Sequence, residues 1–228
     1  MVIDVLRAST TIATALAHGA AGVLPVADLA EARALAARLG PGTLLGGERG
    51  GVRIEGFDLG NSPREYTPQR VAGKTIVITT TNGTAALHAC RDAREILVGA
   101  IVNRAAVADA VRRLTTGVGR ADVHLVCAGT DGVVSGEDVL AAGAILDAAT
   151  RAGATGHVLD EAAIAARDGY RRVAAAPAPR EAVVADFHRS PGGSNLVDLG
   201  MEADLAVAAA IDALAVVPRL DRASGRLI

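Results

Sequence analysis

The chain has no tryptophan, and only two phenylalanines and two tyrosines in 228 residues. With aromatics at 2%, no group of the large rings that anchor protein interfaces can be picked out, and a homodimer rests on base rate alone. Lys74 is the sole lysine, every other basic side chain being arginine; with the alanine excess this reads as genomic base composition rather than a binding surface. Cys90 and Cys127 lie far apart with no CxxC, which excludes a disulfide framework or a structural zinc site. The five histidines, His18, His88, His124, His157 and His188, have no metal-ligand spacing. Charged residues interrupt every apolar run, so no membrane span is expected. A net charge of −2 and a pI near 6.2 argue against a nucleic-acid footprint or a polybasic membrane patch. No basic-then-apolar leader opens the chain, so a soluble cytoplasmic protein is expected. The abrupt start inside a strand-like run suggests that an earlier segment is missing.

What is present is a folded composition, 50% apolar and 21% charged. Short β-branched runs alternate with alanine-rich helical stretches, the pattern of an α/β fold: three α/β/α layers around a mostly parallel sheet. Strands are expected at 2–6, 22–26 and 43–45, and helices at 10–18 and 28–39. Asp28 caps the second helix, with Glu31 three residues on. The order recurs about 75 residues later: strands at 75–79, 95–99 and 122–126, helices at 84–90 and 103–114, the last capped by Asn103. This reads as two related, intertwined βαβαβ units, about 1–48 and 74–130, inside a single domain over 1–228. Helices follow at 137–152, 161–174 and 202–215, with a proline-rich connector at 175–179 and a frayed end from Pro218.

Ligands of such sheets bind beyond the carboxyl ends of the strands. Four strand ends carry more polar chemistry than a turn needs. In TTTNGT, Thr80, Thr81 and Asn82 either cap a helix or, with Gly83 and unpaired N–H groups, cradle a phosphate or sulfonate. Asp4 and Arg7 end an apolar strand, either as an ion pair or as a hard-metal ligand beside an anion-gripping arginine; Thr10 and Thr11 follow as a second cradle. Glu48 and Arg49 stand among glycines, either as a solvated turn or where bare backbone meets a ligand. Asp58, Asn61 and Ser62 either orient a ligand or form an Asx turn before Pro63. In CAGTDGVVSGED, Ser135, Glu137 and Asp138 follow Asp131. A helix start explains some of these acids, but several carboxylates at one strand end also suit magnesium. Cys127 is either a buried strand cysteine or a nucleophile, with no histidine placed to activate it. P-loop, GxGxxG, Asp-x-Asp and Cys-x5-Arg signatures are absent.

Five blocks in order, VIDVLRASTTIATAL, GGERGG with GFDLGNSPREY, TTTNGTAAL, CAGTDGVVSGEDVLAAG and SPGGSNLVDLGMEADLAVAAAIDALAVVP, resemble the 2-phosphosulfolactate phosphatase family over nearly the whole chain. Members usually carry another strand and turn ahead of the first block. The resemblance implies a magnesium-dependent phosphatase that releases (R)-3-sulfolactate and phosphate from 2-phospho-3-sulfolactate, a step in coenzyme M biosynthesis. It implies Asp4, Arg7, Glu48 and Asp138 as catalytic residues, and Asp4, Glu48, Glu137 and Asp138 around Mg2+. Arg7, Thr10, Arg49, Asn61, Ser62, Thr80, Thr81, Asn82, Gly83, Cys127 and Gly129 would bind a small anionic phosphate ester. Other readings are a phosphatase or mutase for another phosphorylated hydroxy acid, and a non-catalytic anion-binding module.

Overall fold

A computed structural model describes residues 1–115, 122–151 and 158–228. His157, and Ala152 at the end of one expected helix, lie outside the described residues.

The first half runs β1 (Val2–Ile3), α1 (Ala8–Ala17), β2 (Gly22–Pro25), α2 (Leu29–Leu39), β3 (Thr43–Arg49), β4 (Val52–Arg53) and the short helix α3 (Pro68–Val71). It continues with β5 (Thr75–Thr79), α4 (Gly83–Ala89), α5 (Arg104–Thr115) and β6 (Val126–Cys127). Helices α6 (Gly136–Thr150), α7 (Glu161–Ala174), α8 (Pro179–His188), α9 (Pro191–Asp198) and α10 (Ala203–Ala208) follow, and β7 (Leu220–Asp221) and β8 (Arg226–Leu227) close the chain.

The architecture is α/β. β1 pairs parallel with β6, and β5 lies parallel between β2 and β3. One sheet has the order β4-β3-β5-β2-β8-β7 and the other is β1-β6. Residues 96–98 stitch the two together: Leu97 bridges Arg219 beside β7, and Val98 bridges Val2 of β1. In this order β5 lies between β2 and β3, while β1 lies between the 96–98 segment and β6. The carboxyl ends of β1, β3, β5 and β6 therefore come together from distant parts of the chain.

Local chemistry explains the elements. The Asp28 carboxylate accepts the Glu31 N–H at 2.8 Å and starts α2 as expected. Most of α1 is buried, which its hydroxyl-rich start tolerates because each hydroxyl is used: Thr10 donates to the Val5 carbonyl and Thr11 to that of Asn61. Helix α6 is buried along most of its length, and Gly143 lets α7 approach until a Cβ there would strike the Ala166 carbonyl. Towards its far end the buried Asp147 is held by Arg151 and Arg171 at 2.8 Å each.

Several expectations are corrected. β1 stops at Ile3 because the chain turns to bring Asp4 and Arg7 inward. β3 runs on to Arg49, so Glu48 and Arg49 belong to a strand that turns through Gly50-Gly51 into β4 rather than to a solvated loop. Gly47 permits this: at φ 143° it passes so close to Thr79 of β5 that a Cβ would meet the Thr79 carbonyl. Asn103 does not cap α5; it lies buried as the last residue of a 3-10 turn, accepts the Ala100 N–H and donates to the Val98 and Val216 carbonyls. The expected strand at 95–99 is reduced to two bridges, and that at 122–126 to Val126–Cys127. The expected helix at 202–215 ends at Ala208. The last residues are not frayed: β7 and β8 form a hairpin, and Leu227 is fully buried against β2.

Candidate active site

A cleft enclosing about 80 Å³ opens where those strand ends converge. Asp4, Leu6 and Arg7 line it after β1, Glu48, Gly50 and Gly51 at the end of β3, and Asn61 from the segment before α3. Thr81 and Asn82 enter after β5, Thr130 and Asp131 after β6, and Gly192, Asn195 and Leu196 from α9.

Asp4 is buried beside the first turn of α1, where one oxygen accepts the Ala8 N–H at 3.2 Å. The other packs on Gly83: a Cβ there would stand 2.6 Å from Asp4 Oδ2 and 2.6 Å from the Ala8 Cβ. Gly83 is therefore the space that the carboxylate occupies rather than a hinge. Glu48 spans two loops, accepting the Gly51 N–H at 2.6 Å, the Thr81 N–H at 2.7 Å and the Thr81 hydroxyl at 3.2 Å. Asp138 does not cap its own helix and does not line the cleft. It accepts the Val5 N–H at 2.8 Å and the Gly129 N–H at 3.0 Å, tying the turn after β1 to the loop after β6.

Burial pushes the Asp4 carboxyl up to about 6, with Glu48 and Glu137 adding repulsion. Burial first, and then the neighbouring Asp4, push the Asp138 carboxyl up to about 8. Two carboxylates thus share a place that disfavours their both being charged. Glu137 is buried beside α9, with one oxygen accepting the Gly192 N–H at 3.2 Å and the other without a partner. Asn61 is the second such case: its side-chain carbonyl is buried, unpartnered and part of the cleft wall. Among the described residues, no three His, Cys, Asp or Glu side chains are arranged to wrap a metal ion.

Asp4, Arg7, Glu48, Asn61, Thr81 and Asn82 therefore meet at one cleft, with Gly83 directly behind Asp4. The other candidates stand elsewhere. Arg7, itself in the cleft, pairs with Asp204 at 2.9 Å and not with Asp4, which lies outside the expected ion pair. The Thr10 hydroxyl is spent on the Val5 carbonyl. Arg49 is exposed and binds the Glu48 carbonyl and the Thr79 hydroxyl. Ser62 donates to Asp204 at 2.7 Å, and Asp58 accepts the Leu45 N–H. Thr80 is a helix cap, accepting the Thr84 N–H at 3.1 Å. Cys127 lies off the cleft, and burial pushes its thiol up to about 12, so it is not a thiolate nucleophile at neutral pH. Gly129 serves by offering its N–H to Asp138.

Sequence reasoning missed Asp204, Asn195 and Gly192. Asp204 gave no signal, since its partners are 142 and 197 residues away. The glycine-rich SPGGSN segment was a visible cue for α9.

An open α/β sheet with a polar, partly buried cleft at its strand ends, carboxylates on several walls and an arginine among them, has the form of an enzyme acting on a small anion. A family model described as 2-phosphosulpholactate phosphatase matches residues 1–223. A protein of Carboxydothermus hydrogenoformans, named "Probable 2-phosphosulfolactate phosphatase", is 41% identical over 228 residues, which is 100% of this chain and 88% of that protein. Proteins given the same name from Symbiobacterium thermophilum and Deinococcus radiodurans are each 42% identical over 96% of this chain, covering 89% and 86% of their own lengths. The chain belongs to the 2-phosphosulpholactate phosphatase family, and is a phosphoric monoester hydrolase. No helix among the described residues is long and apolar enough to cross a membrane.

Proposed function

We propose that the protein hydrolyses 2-phosphosulfolactate to 3-sulfolactate and phosphate in this cleft, with magnesium as the required cation. One observation carries the cation. Among the described residues, three acidic side chains, Asp4, Glu48 and Asp131, line the cleft against one basic side chain, Arg7, whose charge is already balanced by Asp204. An ester bearing a phosphate, a carboxylate and a sulfonate would be repelled from such a wall. A divalent cation reverses that sign.

The donor set fits magnesium: every candidate ligand is an oxygen, and the unpartnered Asn61 carbonyl adds a neutral one. Magnesium commonly uses one or two carboxylates and keeps waters, so it does not require the three-ligand cage that the described residues do not form. When bound, it would neutralise charge on the phosphoryl oxygens and lower the pKa of an attacking water.

Asp4 and Glu48 would hold the cation, directly or through water. Arg7 would grip one anionic group of the ester. Thr81 and Asn82 border the same space, and the Asn82 side chain is not spent on a helix cap. The Asn61 carbonyl would accept from a water or from the 2-hydroxyl of the sulfolactate product. Asp138 would act from behind, by fixing Val5 and Gly129.

The test is phosphate release from 2-phosphosulfolactate against 2-phospholactate, which lacks the sulfonate. Clear preference for the first supports the substrate. Equal release keeps the phosphatase and removes the sulfonate from the reading; release from neither, by folded protein, contradicts it.

A further inference from the structure

Arg7 is 3% exposed, yet it lines the cleft. Its guanidinium has five N–H donors. Nη1 donates to Asp204 Oδ2 at 2.9 Å and to the Met201 sulfur at 2.8 Å, and Nη2 donates to the Gly51 carbonyl at 2.6 Å. Those three contacts leave the Nε hydrogen and one Nη2 hydrogen without a partner, and Nε and Nη2 share one edge of the fork. Such an edge takes two oxygens of a phosphate, sulfonate or carboxylate side by side.

The direction of that edge is set from the opposite side. Asp204, on α10, is 1% exposed and meets Arg7 with one oxygen. Its other oxygen accepts the Ser62 hydroxyl at 2.7 Å, so the carboxylate cannot turn without breaking both contacts. A buried ion pair adds little to stability by itself, and a hydrophobic pair would often serve as well. A buried pair of which one member retains two unused donors beside a cleft has a different use.

We infer that Asp204 is a positioning residue, held by Ser62, which turns the Nε–Nη2 edge of Arg7 into the cleft to bind an anionic group of the substrate. Ser62 thus acts two contacts away from the ligand instead of touching it. This deepens the phosphatase reading and rests on the cleft being the ester site, so the test separates the two.

Inorganic phosphate in the presence of magnesium is the binding probe, followed by calorimetry, beside kcat and KM for 2-phosphosulfolactate with magnesium and a thermal melt of each protein. The variants are Asp204→Asn, Arg7→Gln and the double variant, which removes both charges and leaves neither buried alone. Asp204→Asn is expected to weaken phosphate binding and raise KM by about tenfold, with a smaller fall in kcat. Arg7→Gln should do at least as much, and the double variant no more than Arg7→Gln alone. Should Asp204→Asn fail to fold, Ser62→Ala keeps the ion pair; it should raise KM by about two- to threefold in the presence of Arg7 and not at all in the Arg7→Gln background. Unchanged phosphate affinity and KM in Asp204→Asn, or an equal loss in both backgrounds, would overturn the assignment. So would a wild-type protein with no affinity for phosphate. The expected binding pattern without hydrolysis of the ester would keep the role of Asp204 and remove the phosphatase reading.

Discussion

Adding a single methyl group at Gly83 should separate the two things that this residue's neighbourhood does. The new Cβ would stand 2.6 Å from Asp4 Oδ2 and 2.6 Å from the Ala8 Cβ, whereas ordinary contacts begin near 3.4 Å. Asp4 is a short side chain tied to the Ala8 N–H, so it can yield only by leaving its place in the cleft or by forcing α4 from α1. Overpacking of this kind costs about 1–3 kcal/mol, and helix propensity returns up to about 1 kcal/mol for alanine in place of glycine. The net loss is about 0–3 kcal/mol, which lowers the melting temperature of a domain this size by at most about 12 °C. Activity should fall much further, by about a hundredfold or more, because displacement of a catalytic group by about 1 Å is enough for that. Gly136 supplies the control: it also opens a helix after a strand end, but nothing lies within 4 Å of its Cβ position. Gly136→Ala should keep activity and leave the melting temperature unchanged or slightly raised. Scanning calorimetry and initial rates of phosphate release read the two effects. A Gly83→Ala protein with wild-type activity would refute the placement of Asp4.

Three other outcomes follow from the same contacts. Cys127→Ala should retain nearly full phosphatase activity, since the thiol is off the cleft and its pKa is raised by burial; loss of turnover in a folded variant would restore it as a nucleophile. Asp4 and Asp138 bind protons more tightly in the folded chain than in the unfolded one, so their contribution to the stability of the cation-free protein is full near pH 4 and is lost as pH rises to about 8. Melting curves in EDTA across that range check the sign, and a rising melting temperature would contradict it. Asp147 behaves in the opposite way. Burial opposes its charge, but hydrogen bonds from Arg171 and Arg151 hold its pKa below the usual carboxylate value, so its contribution is lost below about pH 4. Asp147→Ala should cost about 1–2 kcal/mol near neutral pH, because both arginines are half-exposed, and should leave kcat unchanged.

The parts of the site that were legible are those that local sequence marks. An acid at the end of an apolar strand, Asp4, and a hydroxyl-rich turn between a strand and a helix, Thr80 to Gly83, break the pattern around them in a way that burial alone does not explain. The Asp28 cap was legible because its partner is three residues away. What stayed hidden depends on contacts between distant residues. Asp138 reads as a helix-start acid, and only folding brings Val5, 133 residues away, to its oxygen. Asp204 looks like one acid on an alanine-rich helix until Arg7 and Ser62 meet it. The glycines around Glu48 read as a turn because glycine usually marks one, whereas Gly47 is there to let β3 close on β5. The terminal hairpin was misread for a related reason: Pro218 and the nearby charges look like an end, and the pairing of Leu227 with Val23 is invisible along the chain.

The most direct measurement is phosphate release from 2-phosphosulfolactate by wild type and Asp4→Asn, each with magnesium and with EDTA. Release by the wild type that requires magnesium, and its loss in a folded Asp4→Asn protein, is the predicted result. Equal release with and without the cation, or full activity in the variant, would contradict the claim that an acidic cleft takes its anionic substrate through a divalent ion.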